Sequence, residues 1–274
     1  MTMRRIYVIF ATLLISAASF AQSITLLHLN DTHSHMDPEK SGKHAGKGGV
    51  IEQAAYIDSV RCADGKRNVL LLHAGDFSQG TSYFPILKGN LEIDVINAFG
   101  YDAVCLGNHE FDNGPVELAR RLKNCKAAVV CANYDFTGSP VDPYVDPYVI
   151  VKKAGRKIGI IGLLTDVSSV VDVGIASTMK YLNPVEVVNR YAEFLKDEKD
   201  CDLVICLSHL GYEDEDFTDC ELVPQVRNVD IIVGGHSHTH LKDKTVLKDL
   251  DGEDVVVITD WKFGREIGNL KIDF

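Results

Sequence analysis

None of the seven cysteines forms a Cys-x-x-Cys pair, which disfavours a zinc ribbon or a thioredoxin-type redox site. Basic residues are in deficit. The net charge is -11, whereas a nucleic-acid binder needs clustered Lys and Arg to displace counterions, so no nucleic-acid partner is expected. No apolar run is long enough to span a bilayer comfortably, and no linker, internal repeat or low-complexity tract divides the chain. What is present is an ordinary globular composition, 46% hydrophobic and 24% charged over 274 residues, enough to bury a full core. An acidic chain that handles phosphates has to carry its positive charge locally, as bound metal does.

Residues 1–21 read as an export signal rather than as fold. Arg4 and Arg5 form a short positive region, Ile6 to Ile15 the apolar core, and Ser19-Phe20-Ala21 puts small residues where a signal peptidase inspects them. An uncleaved anchor helix is the alternative. Cleavage leaves residues 22–274 as one domain, periplasmic or secreted, with no membrane segment and no cysteine at the cut to carry a lipid; its charge is about -13. Export permits disulfides, yet seven cysteines is an odd number, so at least one thiol stays free or pairs between chains. Cys105, Cys131 and Cys206 lie in apolar runs as small hydrophobes, while Cys62, Cys125, Cys201 and Cys220 are better placed for pairing.

From Ser23 onward, short apolar runs alternate with helical patterns, the rhythm of a layered α/β protein. Strands are expected at Ile24 to Leu29, Val69 to Leu72, Asp102 to Leu106, Ala127 to Cys131 and Leu203 to Leu207. Others are expected at Ile231 to Val233, Val255 to Thr259 and Glu266 to Ile272. Helices are expected at Val50 to Val60, with Ile51, Ala54, Ala55 and Ile57 at helical spacing, and at Leu91 to Phe99. Further ones run from Pro115 to Leu122, from a cap at Asn183 to Lys196, and through an acidic region, Glu213 to Val226. Phe77 to Gly89 reads as a loop and Pro140 to Pro147 as a surface excursion. A hairpin about Ala154-Gly155-Arg156, joining Val149 to Val151 with Lys157 to Leu164, implies a mixed rather than purely parallel sheet.

Five strand ends then present Asp31-x-His33, Gly75-Asp76, Asn108-His109, His209 and His236-x-His238. The carboxyl edge of an α/β sheet is where such proteins keep their chemistry, and carboxylates, imidazoles and an amide suit borderline divalent metals. Seven ligands are too many for one ion. Two ions sharing Asp76 use them evenly, with Asp31, His33, Asp76 and His238 on one and Asp76, Asn108, His209 and His236 on the other. Such a pair, with a bridging hydroxide, leaves roughly one positive charge to meet a phosphate dianion; two ions about 3.5 to 4 Å apart activate the shared water for in-line attack on phosphorus. His109, not needed as a ligand, is free to stabilise developing charge or protonate the leaving oxygen, with Asp112 fixing its tautomer.

These blocks, Leu27-His28-Leu29-Asn30-Asp31-Thr32-His33, Ala74-Gly75-Asp76-Phe77-Ser78-Gln79-Gly80-Thr81, Gly107-Asn108-His109-Glu110-Phe111-Asp112, Ser208-His209-Leu210-Gly211 and Gly234-Gly235-His236-Ser237-His238-Thr239, closely resemble the binuclear (calcineurin-like) metallophosphatases. Within that superfamily they resemble the secreted 5'-nucleotidase and UDP-sugar hydrolase family. The resemblance implies a four-layer αββα sandwich with two mixed β-sheets, the two metal sites assigned above, the paired role of His109 and Asp112, and contact of Asn108 and His109 with the substrate phosphate. It implies two divalent metal ions without choosing among Mn, Zn, Mg and Fe, although Gln79, where purple phosphatases place a tyrosine, disfavours the iron branch. Family members continue into a second, nucleotide-binding domain. Here the chain stops at Phe274, after Lys262-Phe263-Gly264-Arg265-Glu266-Ile267-Gly268-Asn269-Leu270, which resembles the last strand before it.

The expected function is that of an exported, metal-dependent phosphomonoesterase acting on nucleotides or another phosphoester. Base recognition then falls to a separate chain carrying the nucleotide-binding domain, to self-association, or to nothing. A phosphodiesterase acting on cyclic or other nucleotides is the enzymatic rival, and a non-catalytic scaffold half that docks such a chain is the rival of another class. Among the remaining candidates, His28 and His73 read as core residues, and His35, His44 and His240 as solvated loop residues. Glu110 reads either as a brace for the site or as a helix-entry carboxylate, and Glu213-Asp214-Glu215-Asp216 as a solvated face rather than a calcium loop.

Overall fold

The computed structural model describes residues 23–169, 171–176, 179–213 and 217–274, so the expected export signal lies outside the described residues. The strands are β1 (Ser23–Leu29), β2 (Val69–His73), β3 (Ala103–Cys105), β4 (Ala128–Val130), β5 (Tyr134–Asp135), β6 (Tyr148–Lys153) and β7 (Arg156–Leu164). They continue with β8 (Lys180–Tyr181), β9 (Leu203–His209), β10 (Ile231–Gly234), β11 (Thr245–Lys248), β12 (Asp254–Thr259) and β13 (Gly268–Asp273). One sheet has the order β13-β1-β2-β3-β4 and a second the order β11-β12-β10-β9-β7-β6; β5 and β8 pair separately. Both large sheets are mixed: β1 to β4 run parallel with β13 antiparallel at the edge, and β7, β9, β10 and β12 run parallel between antiparallel β6 and β11.

Strand alternation builds the layers. Leu26, Leu70, Leu72, Ile158, Ile160, Ile205 and Leu207 turn inward and pack sheet on sheet. Their neighbours Leu27, Leu29 and Leu71 face the helices Val50–Asp64, Asn90–Phe99 and Gly114–Leu122, while Ile161, Leu163, Val204 and Cys206 face the helix Pro184–Glu193. Burial on both faces explains why these strands read as continuous apolar runs. The result is the expected αββα sandwich. The sheets join along one side, where Ala132 N–H, just past β4, donates to Gly162 O in β7 (2.7 Å).

Several local expectations are corrected. The Phe77 to Gly89 loop contains a short helix, Tyr83–Leu87, that stops at Lys88 with φ 52°. The acidic helix shrinks to Asp219–Leu222 followed by a tight turn at Val223–Gln225, because Thr218 and Glu221 form a capping box and Pro224 follows closely; residues 214–216 lie outside the described residues. Asn183 caps its helix as expected, accepting from Val185 and Glu186 N–H, but the regular helix ends at Glu193 and widens over Phe194–Glu198. Ile51 points outward at 76% exposure, the buried face of its helix being Gln53 and Ile57. The edge strand β11 escaped the sequence reading, since its alternating half-buried pattern spans only four residues. All seven cysteines are free: Cys62 and Cys125 belong to the helical layer over one sheet, Cys201 and Cys220 to that over the other, and Cys201 is buried among apolar side chains.

A Cβ added at Gly162 would stand 2.2 Å from Val130 O, where the two sheets meet. Gly162→Ala is therefore expected to cost about 1–3 kcal/mol, seen as a lower midpoint in urea unfolding; an unchanged midpoint would refute this tight junction.

Candidate metal centre

Parallel strands from both sheets deliver their carboxyl ends to one place. The segment after β1 carries Asp31 and His33, the turn after β2 carries Asp76, that after β3 carries Asn108 and His109, β9 ends on His209, and the loop after β10 carries His236 and His238. Asp31, His33, Asp76, His236 and His238 all adopt left-handed backbone, with φ between 47° and 72°. That conformation is unfavourable for non-glycine residues, and such strain gathers where side chains must be aimed. The loops are fixed by a continuation of the β1–β2 pairing: Asp31 N–H donates to Gly75 O (3.0 Å), His33 N–H to Asp76 O (3.0 Å) and Ser34 N–H to Phe77 O (3.1 Å).

The donor atoms converge in two groups, Asp31, His33 and His238, and Asp76, His209 and His236, each within 4.8 Å; His33, Asp76 and His109 form a third set. Asp76 stands between them, its Oδ2 3.8 Å from His33 Nε2 and 3.2 Å from His209 Nε2. Asp31 Oδ1 lies 3.8 Å from His33 Nε2 and 3.5 Å from His238 Nε2, and the Asp31 carboxylate accepts from His236 N–H and from Asn30 Nδ2. The close approach depends on glycine. A Cβ at Gly107 would meet Asp76 Oδ1 at 2.1 Å, and one at Gly235 would meet Ala74 O at 2.4 Å.

This arrangement fits cations. His209 Nδ1 lies 2.6 Å from Ala74 O, so it carries the proton and leaves the Nε2 lone pair directed at a carboxylate oxygen. His33 and His238 bring their Nε2 atoms within 2.9 Å of each other, and the buried Asn108 Oδ1 has no hydrogen-bond partner. Electron-rich atoms gathered this closely need positive charge among them. In the protein alone protons supply it: burial pushes the His209 imidazole down, but Asp76 outweighs burial and raises it to about 10. Burial pushes Asp76 up, yet the surrounding imidazoles hold it well below the usual carboxylate range. Burial raises Asp31 to about 7 and lowers His33 to about 4 and His238 to about 3.

His109 stands apart from this pattern. Its Nδ1 is 3.0 Å from Asp112 Oδ2, and that hydrogen bond raises the imidazole to about 9. Of the secondary candidates, Glu110 proves to be a brace: fully buried, it accepts from Gly107 N–H (2.6 Å), Asp76 N–H (3.0 Å) and Ser78 N–H (3.0 Å). His28 and His73 are buried as expected. His35 is half-buried rather than solvated, stacking on Phe263 with ring centroids 3.9 Å apart, whereas His240 is exposed as expected and stacks on Trp261 at 4.9 Å. Sequence reasoning missed Arg121, which is 1% exposed and binds Ser78 Oγ and Glu110 O. It also missed Lys262, whose Nζ lies 3.1 Å from His238 Nδ1. Arg121 sits beside Arg120 in a last helical turn, where basic residues ordinarily face solvent, so no sequence signal marked it.

The family pattern of the calcineurin-like phosphoesterases matches residues 24–240. The chain belongs to this family. Its members use two divalent metal ions, in keeping with the His and Asp clusters found here. The chain is 34% identical to a snake venom 5'-nucleotidase of Naja atra, an alignment covering 92% of this chain and 50% of that protein. Among solved structures it is similar to a 5'-nucleotidase precursor from Thermus thermophilus (TM-score 0.84, 35% identity, 92% of this chain and 51% of that one). It is also similar to the NAD nucleotidase of Haemophilus influenzae (TM-score 0.81, 29% identity, 93% and 48%). The chain thus spans about half the length of these relatives.

Glu110→Ala would leave three buried N–H groups without their acceptor. At about 1–3 kcal/mol for a buried group left unpaired, the variant is expected to melt several degrees lower and to retain less manganese after dialysis. Normal melting with full metal content would show that the brace is dispensable.

Proposed function

We propose that this calcineurin-like phosphoesterase chain is the catalytic unit of an exported, 5'-nucleotidase-like phosphomonoesterase. The observation that carries the reading is the pairing of a metal-ligand cluster with a separate His109–Asp112 dyad at its rim, where side chains of the dyad are 29% and 27% exposed and open to a substrate. Asp31, His33, Asp76 and His238 would hold one divalent ion, and Asp76, Asn108, His209 and His236 the other. When bound, the ions supply Lewis-acid clamping of phosphoryl oxygens and an activated water.

The protein's own residues do the rest. Glu110 fixes Asp76 and the Gly107 turn, so that Asn108 and His109 are held at a set distance from Asp76; His109 N–H donates to Asp76 Oδ1 (3.0 Å). Asp112 accepts from His109 Nδ1–H, which leaves the Nε2–H of the protonated ring to stabilise charge on the phosphoryl group or to protonate the leaving oxygen. Nucleotides are favoured as substrates by the similarity to two proteins named as nucleotidases. On this reading residues 22–274 form the catalytic domain.

Purified protein loaded with manganese, zinc or magnesium is expected to hydrolyse AMP and an aryl monoester faster than an aryl diester. Diester preference would favour a phosphodiesterase, and no turnover with any metal a scaffold. His109→Ala should lower kcat by roughly two to four orders of magnitude with metal content unchanged. Because Asp112 raises the His109 pKa, the protonated ring persists to higher pH and is lost as pH rises through its pKa. Asp112→Asn should therefore move the alkaline limb of the rate profile to lower pH; an unmoved limb would remove the dyad from the mechanism.

A further inference from the structure

Three residues of the segment that carries His33 hold left-handed backbone: Asp31, His33 and Ser34, at φ 48°, 47° and 53°. Such a run needs contacts from outside to keep it in place. Ser34, 1% exposed, is where they gather. Its N–H donates to Phe77 O (3.1 Å), its carbonyl accepts from Thr81 Oγ1 (2.7 Å), and its own Oγ–H donates to Glu92 Oε1 (2.5 Å). The first two partners lie in the irregular stretch after β2, whereas Glu92 stands on the helix Asn90–Phe99.

Glu92 is an unfavourable residue for packing alone. It is 2% exposed, on a helix that also buries Ile93, Ile96 and Phe99, and its Oε2 has no hydrogen-bond partner. A buried carboxylate left half satisfied costs stability that an aliphatic side chain would not. Its place in the first helical turn favours a negative charge, and the charge of Arg121 acts on it as well. Neither accounts for the hydroxyl contact. A first-turn carboxylate serves the helix dipole from the surface without burial, and Arg121 directs its hydrogen bonds to Ser78 Oγ and Glu110 O. The short, charge-assisted bond to Ser34 does account for it, because it ties a regular helix to the residue next to His33. His33 Nε2 in turn lies 3.8 Å from both Asp31 Oδ1 and Asp76 Oδ2.

We infer that Glu92 is a positioning residue: acting through Ser34, it holds the His33 imidazole against Asp31 and Asp76. Its contact is with the Ser34 hydroxyl and not with the ring. This role rests on the reading of His33 as a metal ligand.

The test is manganese binding by the full chain, measured by equilibrium dialysis for Ser34→Ala, Glu92→Ala, the double variant, Glu92→Gln and His33→Ala, with melting of the metal-free proteins recorded alongside. Ser34→Ala and Glu92→Ala are each expected to weaken binding about tenfold, the lower end of what losing an outer partner does to a metal site. The double variant should bind no more weakly than the weaker single one, because both remove the same hydrogen bond. Glu92→Gln keeps an oxygen that accepts from the hydroxyl but loses the charge a helix end would use, and should recover most of the affinity. Losses that multiply in the double variant, no recovery in Glu92→Gln, or lower melting with manganese binding unchanged would overturn the positioning role. If His33→Ala binds manganese as tightly as the unaltered chain, the ligand reading falls and this role with it; a loss in His33→Ala with none in Glu92→Ala removes this role alone.

Discussion

A carboxylate sealed from solvent survives only where its surroundings supply hydrogen bonds, and Glu110 is placed so that three backbone N–H groups do so at once. Those donors come from two chain segments, the turn after β2 and the turn after β3. Binding them to one side chain fixes Asp76 relative to Asn108 and His109 more tightly than either loop would manage alone. Arg121 closes the arrangement from beneath, donating to Ser78 Oγ and to the Glu110 carbonyl. The brace, its N–H donors and the guanidinium form a fully enclosed polar network, whose members lose far more when one is removed than an exposed pair would.

The other half of the donor set rests on packing rather than on a brace. His209, His236 and His238 belong to the second sheet, and they reach Asp31 and Asp76 because the inner faces of both sheets interlock through aliphatic side chains. Glycines allow the last approach, as at Gly235, where backbone passes beside Ala74 O and the His209 ring. The left-handed residues are the local cost of turning side chains inward within two to four residues of a strand end. Each costs about 1–2 kcal/mol, offset in part by the backbone hydrogen bonds that zip residues 31–34 to residues 75–77.

Much of this was legible in sequence because strand ends are. The apolar runs ending at Leu29, Leu72 and Leu207, each followed within a few residues by Asp or His, marked both the layered architecture and the positions of Asp31, His33, Asp76 and His209. What stayed hidden depends on contacts distant in the chain. Whether Glu110 braced the site or merely opened a helix turned on where Ser78 and Asp76 lay, and Arg121 looked like a surface residue until the helix Gly114–Leu122 was packed. Lys262 and His35 gained meaning only when a loop more than two hundred residues from Asp31 folded over it.

The division of the donors follows from Asp76 itself. Its Oδ1 is occupied by His109 N–H, so Oδ2 alone is left to face His33 on one side and His209 on the other. One oxygen with imidazoles on two sides cannot satisfy both through a single proton, and the remaining donors fall into groups that draw on both sheets, Asp31 and His238 with His33, and His236 with His209 and Asp76. Cations held by these groups would supply positive charge between the facing lone pairs, as in the 2.9 Å approach of His33 to His238. A single cation would relieve only one group and leave the other dependent on protons. The donor groups on either side of Asp76 thus agree with the family's use of two divalent ions.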